Sequence, residues 1–336
     1  MSGCEYENIG FLSRSMRDQH LEKAHKDKTP PRDLSEDTIE QDEVQALVLD
    51  LVREDEVEMV ERLLPRVDDL YRFSSLLGKT VGELGSLPMA QMITRVCEEG
   101  AKHRAVDQFY HGAIKAGNVK FIDWLINSNQ VPEYRDEAAS ITAAFVKSDS
   151  EHMWRLCEQF MAALSRADDM GRRMSDVCFE EPVINATSRV ANREKMLLSL
   201  WESVGEIKKL KAAKLSYALG VVARTTCSIP LGRALLQYGA DVNGQKGKLA
   251  VSPLQFAARK SSIENAEFMR FLLSAGADPE HVSRSRKPSD EIGAKEIVRW
   301  LGMTWNELVE QTRDCRRGAS AAPPDPSVGP WPWRAA

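Results

Sequence analysis

Cys4, His20 and His25 are side chains of metal-ligating type, and with Glu7 they run Cys-x2-Glu-x12-His-x4-His along the chain. Thiolate sulfur and imidazole nitrogen are the usual donors of structural zinc, and a carboxylate oxygen is an uncommon substitute. Glu7 would complete only a weak tetrahedral set, so residues 1–27 as written are expected to hold no tight zinc. The cofactor expectation is none, with zinc on this segment as the one candidate. His103, Asp107 and His111 form a second group, spaced four residues apart and therefore on one face of a helix. No nucleophile or third ligand lies near them in sequence. Gly-x-Ser-x-Gly, a Gly-rich phosphate loop, His-Glu-x-x-His and Cys-x-x-Cys are all missing from the sequence. The expectation is a protein that is not an enzyme and takes no small-molecule substrate.

In that frame residues 1–27 resemble a C2H2 zinc finger, with Phe11 at the core aromatic position and Glu7 where the second cysteine belongs. The resemblance implies a helix from about Leu12 that carries or borders Arg14, Arg17 and Lys23. A single finger reads only about 3 base pairs. The chain has 45 basic and 50 acidic residues, a net charge of −5 and a pI near 5.8, so it lacks a general phosphate-attracting field. Arg284, Arg286 and Lys287 make a short basic cluster that reads as a solvated loop. Nucleic acid is therefore not the expected partner. The alternative is a nuclear regulatory protein whose finger-like start binds nucleic acid or a partner.

The elements that would position any site are paired helices. Gly276-Ala277-Asp278-Pro279 repeats Gly239-Ala240-Asp241-Val242-Asn243 at an offset of 37 residues. Between them come Ser252-Pro253-Leu254-Gln255-Phe256-Ala257-Ala258, a polar break, and an apolar helix through Phe268, Phe271 and Leu272. Ser252 can cap the first helix, and Pro253 then occupies the first helical position, where its missing N–H costs nothing. Leu254, Ala257 and Ala258 are spaced to face a neighbouring unit. Phe268, Phe271, Leu272 and Ala275 trace an amphipathic stripe, and Gly276 stands where a left-handed stop is wanted. This order resembles the ankyrin repeat, whose signature is Thr-Pro-Leu-His-x-Ala, with Ser252 for Thr and Gln255 for His. The period exceeds the usual ~33 residues; three extra residues fit around 260–265, between the helices, and one in the 244–251 connector.

Weaker pairs precede these two units: 44–52 with 57–64, 111–115 with 121–126, 139–146 with 153–160, 186–190 with 196–204, and 215–223 with 231–238. A charged insert at 165–174 accounts for one long interval. Residues 292–300 and 305–312 make a last pair, with Thr304 as cap, and an atypical last unit would close the stack. The phrase from Gly293 to Val309 resembles the closing segment of ankyrin-repeat proteins from filamentous fungi. An irregular helical solenoid of another type suits the earlier pairs almost as well.

The expected fold is thus all-α, an ankyrin-type helical-repeat solenoid with irregular early repeats and disordered termini. Its expected parts are a finger-like leader (1–27), a flexible linker (28–42) carrying Pro30-Pro31, degenerate ankyrin-like repeats (43–214), repeats with capping helices (215–312), and a disordered tail (313–336). No run of ~18 apolar residues is present, so no membrane span is expected. The polar start lacks a secretory stretch. Six dispersed cysteines, Cys97 and Cys157 among them in apolar stripes, suit reduced thiols in the cytoplasm or nucleus. The sequon Asn185-Ala186-Thr187 is expected to be unused.

The ankyrin resemblance implies a scaffold or adaptor for other proteins. In that family the connector tips and the outer side of the first helices form the recognition surface. Carried over, the partner-binding residues are Asp241, Asn243, Gln245, Lys248, Asp278 and Glu280 on the connectors. Gln255, Arg259 and Lys260 join them on or beside a first helix.

Overall fold

The computed structural model describes residues 41–168, 176–203, 212–244, 251–283, 296–297 and 299–319. Every regular element among these residues is a helix, apart from an isolated bridge residue at Val251, so the fold is all-α. The chain divides into two compact units, Met1–Met174 and Ser175–Ala336.

The first unit contains α1 (Gln41–Arg53), α2 (Val57–Leu63) with a 3-10 turn at Leu64–Arg66, α3 (Leu70–Leu84), α4 (Leu87–Val96), α5 (Glu99–Ala116), α6 (Val119–Asn127), α7 (Arg135–Lys147) and α8 (Glu151–Asp168). Consecutive helices form hairpins: α1 with α2, α3 with α4, α5 with α6 and α7 with α8. First helices stack on first helices in the order α1, α3, α5, α7, while α2 packs on α4 and α6 on α8. Local chemistry fixes the ends. Asp69 caps α3 by accepting from the Arg72 amide at 3.1 Å, and Ser86 caps α4 by accepting from Met89 at 3.2 Å. Gly85 stops α3 at φ 74°. Asn118 Nδ2 donates to the Gly82 and Glu83 carbonyls at 2.8 and 2.7 Å, satisfying acceptors that the end of α3 leaves open.

The α3–α5 contact is a backbone-to-backbone seam. A Cβ placed on Gly78 would lie 2.5 Å from the Ala105 carbonyl oxygen, and one on Gly82 2.3 Å from that of Phe109. Gly112 answers from the other side, with a notional Cβ 2.3 Å from the Lys79 oxygen. Beside the seam, the Phe109 and Phe121 rings meet edge-on at 5.9 Å, and Tyr110 and Phe145 both lean on Phe160. All five aromatic rings are buried.

The second unit opens with a 3-10 turn, Val177–Phe179. It continues through α9 (Glu181–Ala186), α10 (Ala191–Ser203), α11 (Ala212–Arg224), α12 (Ile229–Gln237), α13 (Pro253–Ala258), α14 (Ile263–Ser274), α15 (Glu280–Ser283) and α16 (Trp305–Ala319). Residues 299–301 are also helical. The first helices α9, α11, α13 and α15 touch in succession, and α10 packs on α12 and α14 on α16. Trp201 is fully buried, stacked on Phe179 at 5.0 Å, with its Nε1 donating to the Cys178 carbonyl at 3.0 Å.

Several expectations meet the structure directly. Ser252 and Gln255 form a reciprocal capping box on α13, with Pro253 in its first turn. Leu254, Ala257 and Ala258 are buried, and Gly276 takes φ 108°. The stripe of α14 is shifted slightly: Phe268, Met269, Leu272 and Leu273 are buried, while Ala275 is exposed. Residues 187–190, expected as helix, are instead a turn in which Ser188 and Arg189 hold φ values of 47° and 63°. Helix α16 runs past Thr312 to Ala319. The pair α3 and α4 has no counterpart among the expected segments. Most of the leader and linker, the tail from residue 320, and Arg284, Arg286 and Lys287 lie outside the described residues. No helix among the described residues is long and apolar enough to cross a membrane.

Candidate partner-binding surface

The two Gly-Ala-Asp turns are built from the same bonds. Gly239 N–H donates to the Leu236 carbonyl and Ala240 N–H to that of Leu235; Gly276 donates to Leu273 and Ala277 to Leu272. All four distances fall between 2.9 and 3.1 Å. Each aspartate then turns its carboxylate onto the backbone two residues on: Asp241 accepts from Asn243 N–H, and Asp278 from Glu280 N–H, both at 2.9 Å. The Asp241 N–H itself donates to Ser216 Oγ at 2.9 Å.

Asn243 joins one turn to the next. Its Nδ2 donates to the Gly276 carbonyl at 3.2 Å, and its Oδ1 accepts from the Asp278 N–H at 2.7 Å. Donor and acceptor of one amide are thus both spent on the following connector, which an isosteric leucine or aspartate could not reproduce. Asn243→Ala is expected to cost about 1–3 kcal/mol, because a backbone donor and acceptor lose their partner. Urea unfolding checks this, and a midpoint equal to wild type would remove the bridge from the account.

The nine residues expected to bind a partner therefore separate. Asp241, Asn243, Asp278 and Gln255 are occupied inside the molecule, the last because its Oε1 accepts from the Ser252 N–H at 2.9 Å. Glu280 and Lys260 are exposed, and Arg259 is half-buried with its guanidinium 5.0 Å from the Phe256 ring centre. Lys260 belongs to the α13–α14 turn, on the hairpin-turn side of the unit rather than among the connectors. Gln245 and Lys248 lie outside the described residues.

The first helices add residues that were not among those expectations. Arg224 at the end of α11 pairs with Glu181 at the start of α9, and its guanidinium stands 6.0 Å from the Phe256 ring on α13. Glu181, Arg224, Phe256 and Arg259 make a continuous row across three successive first helices. Nearby, Lys214 Nζ sits 2.5 Å from Glu180 and 5.5 Å from the Tyr217 ring. Phe256 and Tyr217 are both half-buried. Aromatic rings interleaved with arginine are the composition that dominates protein–protein hot spots. The one sequence signal was Phe256, an apolar residue where the surrounding repeat buries Leu254, Ala257 and Ala258 instead.

His103, Asp107 and His111 do not combine into one site. His103 Nε2 faces Glu99 at 3.0 Å and Glu133 at 3.1 Å, while His111 Nε2 faces Ser140 Oγ at 3.3 Å. Burial, and then the Lys147 charge, hold the His111 imidazole below its usual range. Asp107 is buried against Glu137 of α7, whose own Oε2 is buried without a hydrogen-bond partner. Burial first, then the hydrogen bond and charge of Glu137, push the Asp107 carboxyl up to about 9 against the pull of Arg104. The helix interface thus favours the protonated form of this carboxyl. Cys97 and Cys227 are buried thiols, each pushed up to about 11 chiefly by burial, which suits packing rather than nucleophilic attack.

Cys4, Glu7, Phe11, His20 and His25 lie outside the described residues. Among the described residues no group of three or more His, Cys, Asp or Glu side chains is placed to hold a metal ion. Comparison of the chain with protein-family models, with curated proteins and with solved structures gives no match.

Proposed function

We propose that the chain is a non-enzymatic scaffold or adaptor for other proteins, built as an ankyrin-type repeat stack and acting inside the cell. One observation carries this reading: two connectors 37 residues apart close through the same backbone bonds and are tied together by the side chain of Asn243. Such a tie is what a module stacked on its neighbour requires, since each repeat is stabilised only by the units beside it. The stacking of first helices on first helices in both units supports the same reading. The row Glu181, Arg224, Phe256 and Arg259 supplies the surface.

The test is affinity capture with the intact chain, identification of what is retained, and rebinding of each retained protein in purified form. Arg224→Gln combined with Arg259→Gln is expected to weaken a true partner at least about tenfold while leaving the fold in place, because both residues are only half-buried and their aliphatic stems are kept. Full affinity in that double variant would remove this row as the binding surface, and failure of the intact chain to retain any protein that rebinds in purified form would end the scaffold reading.

A further inference from the structure

The second unit has a cleft on the opposite kind of loop, the turns that join first helix to second. Asn185 at the end of α9 and Ser188 and Arg189 from the α9–α10 turn line it, with Thr225 and Thr226 from the α11–α12 turn and Lys260 from the α13–α14 turn. It is a shallow, open depression of about 380 Å³. Three properties favour an anion here, against the carboxylates of Glu194 and Glu264, whose charges both act on Arg189. Two cations face it, and Lys260 is exposed on its rim. It lies at the N-terminal ends of α10, α12 and α14, of 13, 9 and 12 residues, where helix dipoles present positive charge. Finally, Thr226 is only 4% exposed, yet its Oγ1 has no hydrogen-bond partner. A buried hydroxyl left unmatched is unfavourable unless something supplies the missing bond.

Arg189 is already aimed. Its Nε donates to the Thr226 carbonyl at 2.6 Å, which ties the guanidinium to the α11–α12 turn. Its Nη1 reaches Glu264 Oε2 at 3.3 Å, an ion pair whose partners are 38% and 47% exposed. An exposed pair of this kind is weak and readily exchanged for a more highly charged oxyanion. Ser228 and Ser262 cap α12 and α14, so those helix ends contribute their dipoles rather than open amides. Val190, which follows Arg189, and Ile263, the first residue of α14, are exposed at 38% and 43%. A bare ion would leave both apolar side chains in water, whereas an anion carried on a peptide would cover them.

We propose that this cleft binds a phosphate monoester, presented on a serine or threonine side chain of a protein ligand. Arg189 and Lys260 would meet the phosphoryl oxygens, Thr226 Oγ1 would donate the bond it lacks, and Val190 and Ile263 would contact the residues flanking the phosphorylated one. The proposal rests on the cleft alone and does not depend on the row Glu181, Arg224, Phe256 and Arg259, although Arg224 and Arg259 adjoin the cleft residues Thr225 and Lys260 along the chain.

Calorimetric titration of the full chain tests it with four probes: inorganic phosphate, a short peptide with phosphoserine between valine and isoleucine, the same peptide with plain serine, and the same peptide with aspartate. The phosphopeptide is expected to saturate and to bind severalfold more tightly than inorganic phosphate, with the serine peptide silent. Lys260→Gln should weaken it about tenfold through loss of one charge-assisted contact. Glu264→Gln, which removes the competing carboxylate, should strengthen it severalfold. Both residues are exposed, so both variants fold. Equal binding of phosphate and phosphopeptide supports the site and assigns it to a small phosphorylated ligand. Absence of saturation by either phosphate probe, or wild-type affinity in both variants, overturns the proposal. So does equal binding of the aspartate peptide, since that would make any carboxylate sufficient.

Discussion

Gly82→Ala is expected to destabilise the first unit by about 3 kcal/mol or more, although alanine is the better helix former by about 1 kcal/mol. The added methyl would fall 2.3 Å from the Phe109 oxygen and 3.0 Å from the Ala113 nitrogen, both main-chain atoms. A flexible side chain could swing aside from such a clash, but a helix backbone cannot. α3 and α5 would have to separate, which loosens Leu77, Val81 and Phe109, all fully buried. Gly100→Ala is the control on the partner helix: its methyl would meet only the Tyr71 ring, 3.7 Å away, an ordinary contact. That variant should be neutral or slightly stabilising. Urea midpoints of the pair decide the matter, and equal midpoints would mean the seam is not as close as described.

Asp107→Asn is expected to change the pH dependence of stability. The Asp107 carboxyl is pushed up to about 9 in the folded chain, chiefly by burial and then by Glu137, against about 3.9 when unfolded. Between those values the folded state keeps a proton that the unfolded state has released. Stability from this group is therefore complete below about pH 4 and is lost as pH rises, by at most ~1.4 kcal/mol per unit. Asparagine keeps the size and a hydrogen-bond donor but cannot ionise. The variant should show a flatter profile and exceed wild type in stability at about pH 8, with little difference near pH 4. Denaturant unfolding at several pH values checks this; parallel profiles would show that Asp107 does not hold its proton.

Where the fold was legible, turn chemistry made it so. Gly239 and Gly276 announce left-handed stops, and Ser252-Pro253 with Gln255 announces a capped helix, because few residue types satisfy those backbone demands. α3 escaped notice for the converse reason. Its apolar positions Phe73, Leu77 and Val81 are regularly spaced, but the face that matters most is lined by Gly78 and Gly82. A pattern that counts side chains gives no weight to a surface made of backbone. The turn at 187–190 was hidden because Ser188 and Arg189 adopt left-handed conformations that few residues other than glycine or asparagine advertise.

The candidate sites were half-legible. Asp241, Asn243 and Asp278 stood out as polar residues on connectors, yet the same polarity serves the turns themselves, and only coordinates separate an amide that ties two connectors from one that greets a partner. Arg224 lies 32 residues before Phe256, and nothing local in the sequence links them. The cleft at Arg189, Thr226 and Lys260 draws on three turns in the same way. Spacing four residues apart put His103, Asp107 and His111 on one helix, but the packing of α7 and the approach of Glu133 decide what each one meets.

The glycine seam bears on how the chain is made. Both of its helices are complete once residue 116 has been added, and every main-chain atom in the contact belongs to the stretch between residues 78 and 113. As the polypeptide leaves a ribosome from its amino end, this pair can lock while the carboxyl half is still being synthesised. Later helices of the first unit then arrive at a formed template: α6 and α7 against α5, and α8 against both. Vectorial synthesis thus completes the tightest joint before the helices that pack on it.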